Sequence, residues 1–141
     1  MSVTITQRFE FDAAHRLPEH SGKCHYLHGH RYMVEVELEG QVNDEGMVLD
    51  FGQLNRSIGH WLDSNVDHTT IVGKHDQELQ SVLVAAGQRL CILPVWPTAE
   101  GMAEFFGTNV FPPLVEDQGV VIVRVTVWET PRCSATWRLN P

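Results

Sequence analysis

Seven consecutive residues, Cys24-His25-Tyr26-Leu27-His28-Gly29-His30, gather a thiol and three imidazoles into one short stretch. Side chains alternate along an extended strand, so His28 and His30 would share one face a few ångström apart. Two imidazoles so placed make half or more of a zinc site, because zinc takes nitrogen and sulfur ligands in sets of four. Cys24, four residues upstream of His28, has more than one chemical use. It can be a further ligand that closes a structural site, or it can stand beside the metal as nucleophile or acid/base. The first use makes the chain a zinc-stapled binding module, and the second makes it an enzyme. His25 has the wrong parity for the metal and reads as a loop residue.

These residues need elements to hold them. Val3–His15 reads as a strand with Phe9, Phe11, Ala13 and His15 on one face and Arg8, Glu10 and Asp12 on the other. Pro18 and Gly22 mark residues 16–29 as a loop. From Tyr32 to Glu39 the pattern alternates, with Tyr32, Val34, Val36 and Leu38 inward and Glu35, Glu37 and Glu39 outward. His28 and His30 share the inward parity, so a strand that begins near His28 carries both imidazoles on the core face. After a turn at Asn43–Gly46, Met47–Phe51 reads as a short apolar strand. Asp50 caps a helix running to about Asn65, and Asp76 caps a second reaching Ala86. Leu90–Leu93 is a short strand. Thr98 caps a third helix striped by Met102, Phe105, Phe106 and Val110, which Pro112-Pro113 should end. Val120–Glu129 and Ala135–Leu139 are the last strands. This order predicts an α+β fold, an antiparallel sheet with helices on one face, whose long edge strands favour pairing with other subunits.

Composition narrows the function. A chain of 141 residues, 43% hydrophobic and 20% charged, suits a single domain spanning 1–141. Its formal net charge of −8, with 10 scattered Lys and Arg, argues against nucleic acid or an anionic membrane as partner. Three widely separated cysteines, Cys24, Cys91 and Cys133, suit a reducing cytoplasm better than a disulfide framework. The N-terminal residues carry no apolar signal core, and no window approaches a membrane span.

Phe11-Asp12-Ala13-Ala14-His15-Arg16-Leu17, followed by Cys24-x3-His28-Gly29-His30, resembles the zinc and nucleophile motif of the 6-pyruvoyltetrahydropterin synthase and 6-carboxytetrahydropterin synthase family. Four further matches follow in order: Gly46–Phe51, Val66-Asp67-His68, Pro97-Thr98-Ala99-Glu100 and Val127-Trp128-Glu129-Thr130. The resemblance implies the tunnelling fold, in which ββααββ subunits join into barrels, commonly trimers stacked as a hexamer, with the site where subunits meet. It implies 7,8-dihydroneopterin triphosphate as substrate and Zn2+ as cofactor. Carried over by position, the zinc ligands are His15, His28 and His30, and Cys24 is the proton-transferring residue. Asp67 and His68 are then its relay partners, and Glu129 anchors the pterin and also enters the relay. The close Cys-x3-His-Gly-His spacing resembles the bacterial 6-carboxytetrahydropterin synthases, which release acetaldehyde and triphosphate on the way to 7-deazaguanine and queuosine. The neighbouring activity, 6-pyruvoyltetrahydropterin synthase, eliminates triphosphate and keeps the carbon chain. Two departures stand out: Gly73–Trp96 is longer than in compact members, and Gly101 replaces an asparagine often seen after Thr-x-Glu.

Elementary chemistry agrees with that set. Three neutral imidazoles leave zinc an open fourth position, the catalytic pattern. A thiolate can remove a substrate proton, a second acid/base can come from Asp67-His68, and a carboxylate such as Glu129 matches a pterin's N–H and amino edge with two parallel hydrogen bonds. Arg16, Lys23 and Arg31 are the cations nearest the motif; they can meet the triphosphate or serve as ordinary solvated charge.

Overall fold

The computed structural model describes residues 2–140. Strand β1 (Val3–His15) leads through a loop with a 3-10 turn at Lys23–His25 into β2 (His28–Gly40). Helices α1 (Phe51–Leu54) and α2 (His60–Asn65) run in line through a π-helical turn at Asn55–Gly59. Next come β3 (Thr69–Gly73), α3 (Gln77–Ala85) and β4 (Leu90–Leu93). Helices α4 (Ala99–Phe105) and α5 (Phe111–Val115) are again joined by a π turn, Phe106–Val110, before β5 (Val121–Thr130) and β6 (Cys133–Arg138). Side-chain caps start three helices: Asp50 accepts from the Gly52 N–H, Asp76 from Leu79 and Thr98 from Gly101.

The six strands form one sheet in the order β4-β3-β1-β2-β5-β6. The expected antiparallel sheet is present as β1-β2-β5-β6. β3 and β4 extend it in the parallel sense, so the whole sheet is mixed. The helices cover one face, where Phe11, Tyr32, Val34, Val36, Val125 and Val127 are fully buried together with Leu54, Ile58, Met102, Phe106 and Phe111. The opposite face carries charge. Arg124 bridges Glu35 and Glu37 at 2.6 Å each, and Arg8 reaches the other oxygen of Glu35 at 2.8 Å. No helix among the described residues is long and apolar enough to cross a membrane.

Three expectations need correction. Met47–Phe51 is not a strand: residues 47–50 are bend or irregular backbone, Phe51 begins α1, and the Met47 N–H donates to Asn43 Oδ1 instead of to a ladder. Pro112-Pro113 does not end the third helix. The prolines fall in the first turn of α5, where an N–H needs no partner, and the wider π turn precedes them. The buried strand β3 was not anticipated. Thr69-Thr70-Ile71-Val72 is β-branched, but five residues are too few to show a period.

The helix layer meets the sheet with no slack at Gly107, whose Cα lies against the indole of Trp137, so that a Cβ there would overlap the ring. Gly107→Ala should therefore lose about 1–3 kcal/mol in urea unfolding, and much less when Trp137 is replaced by Val. Equal losses in both backgrounds would contradict this packing.

Candidate active site and metal centre

The end of the β1–β2 hairpin sets the central cluster. His15, the last residue of β1, pairs across the ladder with His28, the first of β2, and His30 pairs with Ala13. All three imidazoles lie on the core face, with one ring nitrogen from each within 4.8 Å of the others. His15 Nδ1 is 2.6 Å from the carbonyl oxygen of Pro97, and His28 Nδ1 is 2.7 Å from that of Tyr26. A carbonyl only accepts, so both Nδ1 atoms carry hydrogen, and in the neutral rings both Nε2 atoms present lone pairs. Those two Nε2 atoms are 3.1 Å apart. Facing lone pairs repel unless a cation lies between them, and tetrahedral zinc with bonds of ~2.0 Å sets its ligands about 3.3 Å apart. His30 Nε2 is buried with no hydrogen-bond partner among the described residues. The three nitrogens fit a divalent metal.

Burial favours the neutral form of His15 and His30. His15 is 1% exposed, and burial, above all, pushes its pKa below the ordinary value, against the Pro97 hydrogen bond and the Glu129 charge, which pull upward. Burial likewise lowers His30, again opposed by Glu129. Glu129 lies on β5 with Oε2 3.9 Å from His30 Nε2. It lines a hollow of about 300 Å³ with Ala99, Glu100, Cys133, Ser134 and Ala135. Tyr32 is a site feature that sequence reasoning assigned only to the core. Its ring stands edge-on to His15 and His30, with centroids 5.8 and 5.3 Å away, and its hydroxyl is buried without a partner among the described residues. Burial, followed by the charges of Glu129 and Cys24, raises its pKa well above the usual phenol range. The available signal was one polar atom in an otherwise aliphatic inward row.

Cys24 sits half-buried in the 3-10 turn, and its sulfur is not among the atoms that converge with the three imidazoles. Asp67 and His68 lie elsewhere. Asp67 Oδ2 is 2.9 Å from His68 Nδ1, while the Asp12 N–H donates to Asp67 Oδ1 at 3.0 Å. Burial would raise the Asp67 carboxyl, but Asp12, His68 and Arg31 outweigh it and hold the group below the usual carboxylate range. His68 takes a left-handed φ of +58°, alone among the described non-glycine residues, and its N–H donates to the Asp12 carbonyl at 2.7 Å. Such a backbone costs on the order of 1–3 kcal/mol and persists only where its surroundings enforce it. Asp12 has the outward parity of β1. His68 borders an open hollow of about 450 Å³ with Asp12, Gly29, His30 and Arg31, which Cys24 does not line. One chain thus assembles His15, His28, His30 and Glu129, and leaves Asp67-His68 apart from Cys24.

Two of the candidate cations are already paired. Arg16 bridges to Asp76, and Arg31 lies 3.1 Å from Asp12 and 3.3 Å from Glu10. Gly101 also has a local reason, because a Cβ there would collide with the Trp96 carbonyl. Burial pushes the Cys91 thiol up to about 11, which suits a core residue.

The sequence matches the profile of the family "6-pyruvoyl tetrahydropterin synthase" over residues 4–140. It is 40% identical over 133 residues to a 6-carboxy-5,6,7,8-tetrahydropterin synthase of Rickettsia bellii, covering 93% of this chain and 96% of that one. An uncharacterized protein of Wolinella succinogenes shares the fold at a TM-score of 0.87 and 21% identity, covering 99% of both chains. The 6-pyruvoyl tetrahydropterin synthase of Caenorhabditis elegans superposes at a TM-score of 0.72 with 27% identity, over 99% of this chain and 97% of that one.

Neutral buried imidazoles make stability depend on pH in a defined direction. Below the ordinary histidine pKa of 6.5 the unfolded chain binds protons that folded His15 and His30 refuse. Stability of chelator-treated protein should hold above about pH 7 and fall as pH drops through 6.5 toward the lowered native values, with a shallower fall in His15→Asn. Urea unfolding across this range measures it, and identical slopes for the two proteins would contradict the assignment.

Proposed function

Because the chain belongs to the 6-pyruvoyl tetrahydropterin synthase family, we propose that it is a zinc-dependent lyase acting on 7,8-dihydroneopterin triphosphate. Its products in this reading are 6-carboxy-5,6,7,8-tetrahydropterin, acetaldehyde and triphosphate, on the route to 7-deazaguanine and queuosine. The observation that carries the proposal is the convergence of His15, His28 and His30 beside Glu129. The names of the curated relatives favour the carboxy over the pyruvoyl product. Three free cysteines suit a reducing cytoplasm as its compartment.

Each residue has a task that follows from its position. The Pro97 and Tyr26 carbonyls hold the Nδ1–H groups of His15 and His28 and so aim both Nε2 atoms inward. Zinc bound by the three imidazoles would act as a Lewis acid toward the substrate's side-chain hydroxyls. Glu129, at the mouth of its hollow, accepts the pterin's N–H and amino hydrogens through both carboxylate oxygens. Cys24 takes and returns a proton at the substrate side-chain carbons as its thiolate. Asp67 holds His68 through Nδ1–H, which leaves His68 Nε2 free to exchange a proton.

Within one chain His68 lines a hollow that Cys24 does not, and on that ground the relay takes a second subunit. Strands β4 and β6 are the two edges of the sheet and can pair with neighbours to close a barrel. We therefore place the complete site between subunits of a trimer or a hexamer.

Two measurements test these statements. Zinc-loaded protein incubated with dihydroneopterin triphosphate should yield the carboxy product and acetaldehyde by mass. Cys24→Ala should keep one zinc per chain and the fold while losing turnover by about 100-fold or more. A pyruvoyl product would overturn the specific assignment, and loss of zinc in Cys24→Ala would support the zinc-stapled module instead. Mixed oligomers supply the second test. Cys24→Ala and His68→Ala subunits, each inactive alone, should regain activity when co-assembled, with size followed by light scattering. Persistent inactivity of well-formed mixed oligomers would place the whole site within one chain.

A further inference from the structure

Arg16 directly follows His15, and its guanidinium is spent on a carboxylate from the long segment 73–96. Nε lies 2.7 Å from Asp76 Oδ2, and Nη2 lies 2.6 Å from Asp76 Oδ1. This two-bond fork is the strong, orienting form of an ion pair. Asp76 is 7% exposed, and the Arg16 side chain is 19% exposed. Asp76 Oδ1 also accepts the Leu79 N–H at 3.3 Å, so one carboxylate both caps α3 and grips the end of β1. The next residue, Leu17, donates its N–H to the Cys24 carbonyl at 2.8 Å. An unbroken path of hydrogen bonds and backbone therefore runs from α3 through Arg16 and Leu17 to Cys24. The far end of the same segment leans on the loop too, since Trp96 shares a hollow of about 340 Å³ with Leu17, Pro18 and His20.

We propose that Asp76 is a positioning residue, which through Arg16 fixes the loop carrying Cys24 at a set place beside the three-histidine cluster. The segment 73–96 is thereby part of the site's scaffold. Its consequence for turnover rests on the synthase reading above, whereas the position of the thiol can be measured without it. Without the Arg16 fork the loop keeps only its internal ties, such as Leu17 N–H to the Cys24 carbonyl and His25 Nδ1 to the Pro18 carbonyl. Cys24 can then shift with the loop as a unit, and misplacement by about an ångström weakens a proton transfer.

Asp76→Asn, which keeps a cap oxygen, and Arg16→Gln are the test variants, with Asp76→Glu as the conservative rescue. In both disrupting variants kcat should fall by about 10- to 100-fold, with KM within about twofold. Bound zinc should stay at one per chain. Alkylation of Cys24 by iodoacetamide, mapped by peptide mass, should speed up by about threefold or more as the loop loosens. Asp76→Glu should recover most of both properties. A lower melting temperature with kcat and Cys24 alkylation unchanged would overturn the proposal and leave the pair as a simple staple. A raised KM at unchanged kcat in Arg16→Gln would also overturn it, by making Arg16 a substrate contact. If the wild-type protein turns over no pterin triphosphate, the alkylation rates still decide the positioning role, and only the synthase reading falls.

Discussion

The register of the β1–β2 hairpin is the constraint on which everything else rests. Thirteen residue pairs run from Val3 against Gly40 to His15 against His28. Because side chains alternate, a slip of β2 by one residue would turn Tyr32, Val34 and Val36 to solvent together with His28 and His30. The burial of those side chains, of order 1.5–3 kcal/mol each, therefore also aligns the three histidines. Core and site are two consequences of one pairing.

The sheet then separates two electrostatic worlds. On the helix-covered face, burial strips water from His15, His30 and Tyr32, which favours neutral His15 and His30 and leaves polar atoms with no partner among the described residues. On the other face Arg8, Arg31 and Arg124 are matched against Glu10, Asp12, Glu35 and Glu37. Desolvated donors collect where a ligand can satisfy them, and satisfied charges collect where the fold needs solubility and register. Asp67 and His68 adjoin that second set through Asp12 and Arg31, at a hollow that Cys24 does not line.

Much of this was legible from residue types and spacing. The parity that joins His28 and His30 to Tyr32 and Val34 placed both imidazoles inward, and the capping roles of Asp50, Asp76 and Thr98 appear where the pattern put them. Errors fell where a local signal met a competing interaction. Met47–Phe51 is apolar enough for a strand, but Asn43 takes the Met47 N–H and Phe51 already begins a helix. Pro112-Pro113 should break a helix, yet a π turn shifts them to a position where their missing N–H groups cost nothing.

What acts between near neighbours is written in the residue order: strand periodicity, helix caps and the sequence of chemically able residues. The meetings of distant segments come from the folded chain alone. The Pro97 carbonyl selects the tautomer of His15 from 82 residues away. Glu129 arrives beside His30 because β5 pairs with β2. Asp76 takes Arg16, a cation that on spacing alone was a candidate for phosphate. The physical reason is common to all three. Periodicity fixes the direction a side chain points, whereas its partner depends on which segments share one sheet and one dry interior.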